Sequence, residues 1–148
     1  MSRVSSLQRF RRLGFRRQLV VAEATVALAA AAAAIAFLPF RRAVRLGSRP
    51  MPTTEDRVSD EKVEEICWMV KAMATRVPWR AMCFERGLAV QWMLRRRGYD
   101  AQLVYGARLA GETNLDAHVW VTLDDRILIG GEQAAEYQRL AVHPELSR

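Results

Sequence analysis

The sequence predicts an α+β protein in which helices precede a small antiparallel sheet. Two segments carry apolar residues at helical spacing, 60–77 and 82–97. Three apolar segments typical of strands then follow, namely AQLVYGAR, AHVWVTL and RILIGG. Only Asp124 and Asp125 separate the last two segments, and a connection this short joins antiparallel neighbours. The expected order is therefore helix, helix, strand, strand, strand, with a further helical segment at the N-terminus.

Charge divides the chain into a basic arm and a nearly neutral body. Residues 1–50 contain ten Arg and one acid, Glu23, whereas residues 51–148 contain thirteen Lys or Arg and fifteen Asp or Glu. We expect a basic arm with an apolar helical extension over 1–50, a linker over 51–60, and a catalytic or binding domain over 61–148. A nucleic-acid-binding domain would carry its basic residues across the folded body, so we expect no nucleic-acid partner.

The apolar segment Leu19–Phe40 is long enough to cross a bilayer as a helix. Three features oppose a span: Glu23 lies inside it, much of it is weakly apolar Ala, and Arg pairs flank both ends. No clear cleavage site for a secretory signal follows it. We therefore favour a hairpin of helices, soluble or attached to a surface, with Pro39 ending the first helix.

The next helix is expected to begin with Ser59 or Asp60 as its cap and to end before Pro78. Its apolar residues recur at helical spacing, and Cys67 lies beside them, so we expect a buried or half-buried thiol there. Cys67 and Cys83 are too few for a disulfide framework and lack metal-binding spacing. We expect no metal, no cofactor and a reducing cytosol.

Cys83 stands where the following helix begins, in VPWRAMCFERGLAVQWMLRRRG. It is either a small core residue or a nucleophile, because a helix N-terminus stabilises a thiolate through its dipole and free N–H groups. The chain has two histidines. His118 lies within an apolar strand and is the candidate general base, whereas His143 lies in the polar segment EQAAEYQRLAVHPELSR, expected to form a short helix or an irregular tail.

A third group should orient the imidazole of such a base. If the hairpin loop has three residues, His118 lies opposite Glu132, and a two-residue loop places Gly131 there instead. Glu132 is our candidate acid, and Asp116, on the same strand face as His118, is its competitor. Trp79, Arg80 and Trp120 either line a substrate groove or pack in the core. The arginines at 95–97 are expected to form a solvated helix end.

The segments VPWRAMCFERGLAVQWMLRRRGYDAQLVYGARL and DAHVWVTLDDRILIGGE resemble the transglutaminase-like cysteine peptidase of bacterial lasso-peptide biosynthesis. That family removes the leader from a ribosomally made precursor, and the resemblance extends over about residues 19–142. It implies a papain-like or transglutaminase-like fold, with Cys83 as nucleophile and His118 as base. Family members often have Asp about where this chain has Gly130, so either Glu132 replaces it or the orienting role is weak.

Many of these relatives carry an N-terminal winged-helix module, for which residues 1–60 leave no room. The resemblance therefore implies three partners: the precursor peptide, a separate winged-helix leader-recognition protein, and an ATP-dependent lasso cyclase. It implies a cytoplasmic location, and the apolar helices become candidate docking surfaces, which makes membrane association less expected. A transglutaminase-type acyl transferase using the same residues and a non-catalytic binding module of this fold remain alternatives.

Overall fold

The computed structural model describes residues 14–48 and 59–144 of the chain, so the rest of the arm, most of the linker and the last four residues lie outside it. Four helices precede the sheet: α1 Phe15–Phe37, α2 Phe40–Leu46, α3 Asp60–Ala74 and α4 Cys83–Arg95. The strands are β1 Gln102–Ala110, β2 Asn114–Leu123, β3 Arg126–Ile129 and β4 Gln138–His143, and a 3-10 helix, Gly131–Glu136, precedes β4. The predicted α+β class, with a helix on a small antiparallel sheet and an N-terminal helical extension, is confirmed.

The sheet has the strand order β3-β2-β1-β4, and all three pairings are antiparallel. Helix α4 covers one face of it. Gly87 makes this close approach workable, because a Cβ there would lie 2.8 Å from Leu103 Cδ1 and 3.2 Å from Val119 Cγ2. At Gly87, α4 thereby lies close against both β1 and β2.

Helix α1 packs on α3 and α4, so the apolar extension shares the core of the body. Its buried face consists of Ala24, Leu28, Ala31 and Ala34. Leu38 is extended and ends the helix, as expected for the residue before Pro39. Ser59 is the N-cap of α3, and Cys67 is 7% exposed, which confirms both predictions.

Two features differ from the expectations. The C-terminal segment begins with a short helix, as one expectation had it, but then forms a fourth strand, β4, which was not expected. Its polar sequence is tolerated because β4 lies at the sheet edge, paired only with β1. The arginines at 95–97 are not solvated as a group: Arg95 is buried and pairs with Asp100 at 2.8 Å, and Arg97 donates to Glu23 of α1 at 2.7 Å.

Candidate active site

Cys83 is the first residue of α4, and the chain around it is fixed by two side chains of the same helix. The Glu85 carboxylate accepts a hydrogen bond from the Met82 backbone N–H at 2.9 Å, and Arg86 Nε donates to the Ala81 carbonyl at 2.7 Å. A carboxylate at this position satisfies an N–H group that the helix leaves unpaired. The thiol is half-buried against the core, at the place that the sequence predicted.

Burial raises the pKa of the Cys83 thiol above its ordinary value. The backbone N–H groups of Val119 and Phe84 act in the opposite direction because they stabilise the thiolate, and the nearby Glu85 carboxylate raises the pKa further. Desolvation therefore outweighs the stabilisation that the helix N-terminus was expected to give. The resting side chain is a thiol, and it needs a base to become a nucleophile.

His118 is half-buried on β2, and its ring has a fixed orientation. Its Nε2 lies 2.8 Å from the carbonyl oxygen of Gly130. Since a carbonyl only accepts hydrogen bonds, Nε2 must carry a proton, and in the neutral ring Nδ1 is then the basic nitrogen. The ring also packs beside Tyr137 and Trp120, with centroid distances of 5.1 and 6.1 Å.

Cys83 and His118 lie at the same edge of β2, where β3 has already ended at Ile129. A Cβ on Gly130 would lie 2.7 Å from the Val119 carbonyl oxygen, so that carbonyl faces this edge. The N–H of a strand residue points the same way as its carbonyl. The Cys83 sulfur is near that Val119 N–H, and the His118 ring reaches Gly130 at the same edge.

The thiol and the imidazole nevertheless make no direct hydrogen bond within residues 14–48 and 59–144. The His118 ring leaves the strand toward Trp120 and Tyr137, on the face opposite to the one that α4 covers. The structure thus brings the thiol to the backbone next to His118 but does not bring it to the ring.

Glu132, the candidate acid, makes no hydrogen bond or ion pair with His118 in the part of the chain that the structure describes. The β2–β3 loop has two residues, Asp124 and Asp125, both with positive φ, and Leu123 pairs with Arg126. An extra residue then shifts the register so that Val121 pairs with Ile129, but β3 ends there. Glu132 follows on the exposed side of the 3-10 helix, and the orienting position at Nε2 is occupied by the Gly130 carbonyl.

Asp116, the competitor, reaches the imidazole only through Tyr137. Its carboxylate accepts hydrogen bonds from the Tyr137 hydroxyl at 2.7 Å and from Arg108 Nε at 3.2 Å, and both lower its pKa, the tyrosine bond more strongly. The Arg108 guanidinium also lies over the Tyr137 ring, 4.7 Å from its centroid. Asp116 therefore fixes the ring against which His118 packs.

The three predicted groove residues occupy different environments. Trp120 is buried with Val104 and Tyr137 in a small second core. Trp79 is half-buried against the main core, and Arg80 is exposed. Of the three, Arg80 alone is solvent-facing.

Tyr137 and the Gly130 carbonyl are site components that the sequence did not predict. Tyr137 lies in the segment expected to be a polar tail, so no local pattern marks it. Gly130 was noted only as the position of the Asp in relatives, and a backbone carbonyl leaves no signal in a sequence. In the part of the chain that the structure describes, no group of three or more His, Cys, Asp or Glu side chains could hold a metal ion.

Comparison with known proteins agrees with the fold. The family model described as transglutaminase-like superfamily matches residues 24–142, well over half of the chain. The chain belongs to the transglutaminase-like superfamily. This membership is consistent with a cysteine peptidase or an acyltransferase. No curated protein and no solved structure matches the chain.

Proposed function

We propose that this transglutaminase-like protein is a cysteine peptidase that removes the leader from a lasso-peptide precursor. One observation carries the proposal: a thiol at a helix start lies at the same strand edge as an imidazole whose basic nitrogen is set by its neighbour. The resemblance of the two sequence segments around Cys83 and His118 to that peptidase family supports the choice of substrate.

In the proposed reaction, the Cys83 proton passes to His118 Nδ1 through a water at the free edge of β2, because the ring and the sulfur make no direct hydrogen bond. The thiolate attacks the scissile carbonyl, and the backbone N–H groups of Cys83 and Phe84 stabilise the oxyanion. His118 then protonates the departing amine, and water hydrolyses the thioester. The raised pKa of the thiol makes this base essential, since little thiolate exists without it.

The Gly130 carbonyl takes the orienting role in this proposal. It holds Nε2–H and so presents Nδ1, as a side-chain acid would. Being neutral, it stabilises the imidazolium less than a carboxylate does. The departure from the Asp of relatives thus changes the strength of the third group, and Cys83 and His118 remain the proposed pair.

An apolar surface beside Cys83 suits a peptide substrate. Phe84, Tyr105 and Phe40 form an aromatic cluster, with ring centroids 5.2 to 6.1 Å apart. The β1–β2 hairpin extends beyond the start of α4, and its cross-strand pair Leu109 and Leu115 is 73% and 66% exposed. We propose that this surface holds apolar residues next to the scissile bond.

The proposal includes three partners: the precursor peptide, a separate winged-helix leader-recognition protein and an ATP-dependent lasso cyclase. A cytoplasmic location goes with this set. The resemblance of the chain to stand-alone peptidases of the family supports these assignments.

The test is cleavage of a precursor peptide in the presence of the recognition protein. Cys83→Ala and His118→Ala should each abolish cleavage, and Cys67→Ala, which removes a thiol remote from the site, should retain it. Glu132→Gln and Asp116→Asn decide the third group: if the carbonyl orients the ring, Glu132→Gln keeps its activity. Full activity in Cys83→Ala would refute the proposal.

A transglutaminase-type acyl transferase is the second candidate, since family membership is equally consistent with it. It would form the same thioester at Cys83 and pass the acyl group to an amine instead of water. Mass spectrometry of the product formed with an added primary amine separates the two reactions. If the cleaved product carries only the added mass of water and not that of the amine, the peptidase is supported.

A further inference from the structure

Helix α1 has a second apolar face that covers nothing in the described structure. Its large members are Phe15, Leu19, Val26 and Phe37, which are 73%, 54%, 67% and 84% exposed. Exposed alanines at positions 22, 29 and 33 fill the intervals, so the stripe recurs every three or four residues along the whole helix. At 1.5 Å per residue it is roughly 33 Å long. We call it the outer stripe.

The opposite face of α1 packs against the body. Ala24, Leu28, Ala31 and Ala34 are buried, and Glu23 forms ion pairs with Arg96 and Arg97 of the segment after α4. Helix α1 is the one described helix that is long and apolar enough to cross a membrane. A span would have to break these contacts and carry a carboxylate into the bilayer. A partner of the outer stripe must therefore bind while α1 stays packed on the body.

The charge around the outer stripe indicates which kind of partner can bind it. Exposed arginines stand at both ends of α1: Arg16 at its start, and Arg41, Arg42 and Arg45 beyond its end. Arg17, also at the start, instead pairs with Glu65 of α3 at 3.7 Å. The one acid among residues 14–48, Glu23, is already paired on the inner side. Residues 1–13 add four more Arg and no acid. This surface is apolar in the middle and positive at both ends.

A second copy of the chain fits such a surface poorly. In a parallel pair of α1 helices, each arginine cluster would meet its own copy. In an antiparallel pair, Arg16 would meet Arg41, Arg42 and Arg45, so either arrangement places like charges together. An anionic lipid surface matches both features at once, because acyl chains cover the apolar centre and headgroups surround the basic ends.

We infer that α1 lies flat on an anionic lipid surface, with the outer stripe among the acyl chains and the flanking arginines at the headgroups. The body is then a peripheral membrane protein attached through the helix that its core already holds. The inference is independent of the proposed peptidase activity, because Cys83 and His118 lie on other elements.

Sedimentation of the full chain with vesicles tests this inference. Vesicles of phosphatidylcholine with about one-third phosphatidylglycerol should bind the protein, those of phosphatidylcholine alone should bind it far less, and 0.5 M salt should weaken binding, where screening lengths are only a few ångströms. The double variant Leu19→Asp, Val26→Asp should lower the partition coefficient by roughly tenfold or more. Both positions are exposed, so the fold should survive, as circular dichroism can check.

The matched control is Ile127→Asp with Leu140→Asp, two exposed apolar residues of the sheet edges, 45% and 55% exposed. It should bind vesicles like the wild type. Equal binding to both vesicle types, or equal loss in both double variants, would overturn the inference. A dimer seen by light scattering without lipid and abolished by Leu19→Asp, Val26→Asp would assign the stripe to a second copy, and release only by detergent would assign a span.

Discussion

Gly130→Ala is the substitution that best separates the proposed role of the Gly130 carbonyl from general packing. Gly130 has φ +79, a left-handed conformation that a side chain makes less favourable by about 1 kcal/mol. A Cβ would also lie 2.7 Å from the Val119 carbonyl oxygen and 3.2 Å from Trp120 Cα, both backbone atoms that cannot yield alone. Overpacking of this kind costs about 1–3 kcal/mol, so the total is roughly 2–4 kcal/mol.

Gly111→Ala is the matched control. Gly111 has φ +81, almost the same conformation, but nothing lies within 4 Å of a Cβ built there. It should therefore lose only the conformational part, about 1 kcal/mol. Urea denaturation of both variants measures the difference, which reports the close approach of Gly130 to β2.

The second measurement is the tautomer of His118, from ¹⁵N chemical shifts of its imidazole. Wild type and Gly111→Ala should show a protonated Nε2. Gly130→Ala displaces the carbonyl that accepts from it, so the ring should lose this preference and cleavage should slow by about tenfold or more. Equal destabilisation of the two alanine variants would contradict the close approach of Gly130 to β2. Unchanged imidazole signals in Gly130→Ala would show that the carbonyl does not orient the ring.

Three further predictions concern titration and ion pairing. Burial raises the pKa of Cys67 to about 11 from 9.0, so its contribution to the unfolding free energy is constant below pH 9 and falls by about 2–3 kcal/mol as the pH rises to 11. Urea unfolding at pH 8 and 11 should show a loss of stability that is smaller by about this amount in Cys67→Ser than in wild type; equal losses would contradict the prediction. Iodoacetamide should alkylate Cys83 far faster than the buried Cys67, as measured by mass spectrometry. Because the pKa of Cys83 is raised, its alkylation should also become faster as the pH rises above neutrality. Equally slow labelling of both cysteines would indicate that Cys83 is an inert thiol. Glu23→Gln should lower the unfolding free energy by about 1–3 kcal/mol, since it leaves Arg97 without its carboxylate. The pKa of Glu23 is lowered, chiefly by its hydrogen bond with Arg97, so the contribution of Glu23 to stability is present above pH 4.5 and is lost as the pH falls below that value. Equal curves of unfolding free energy against acid pH in wild type and Glu23→Gln would contradict this.

The parts of the site that local pattern controls could be predicted from the sequence. Apolar spacing placed Cys67 in the core, because helical periodicity decides which side chains face inward. The arginine run and Gly98 placed a helix end, and Cys83 was placed at the start of that same helix. The α+β class followed from the order of periodic segments and the short connection at Asp124 and Asp125.

The remaining features depend on contacts between residues far apart in the chain, and only the tertiary structure decided them. A bulge and the end of β3 at Ile129 place the Gly130 carbonyl at His118, where counting residues favoured Glu132. Burial between α4 and the sheet raises the pKa of the thiol, although its helix position alone predicted a lower one. Periodicity fixes which face a side chain occupies, but register, desolvation and hydrogen-bond partners are set by which elements meet.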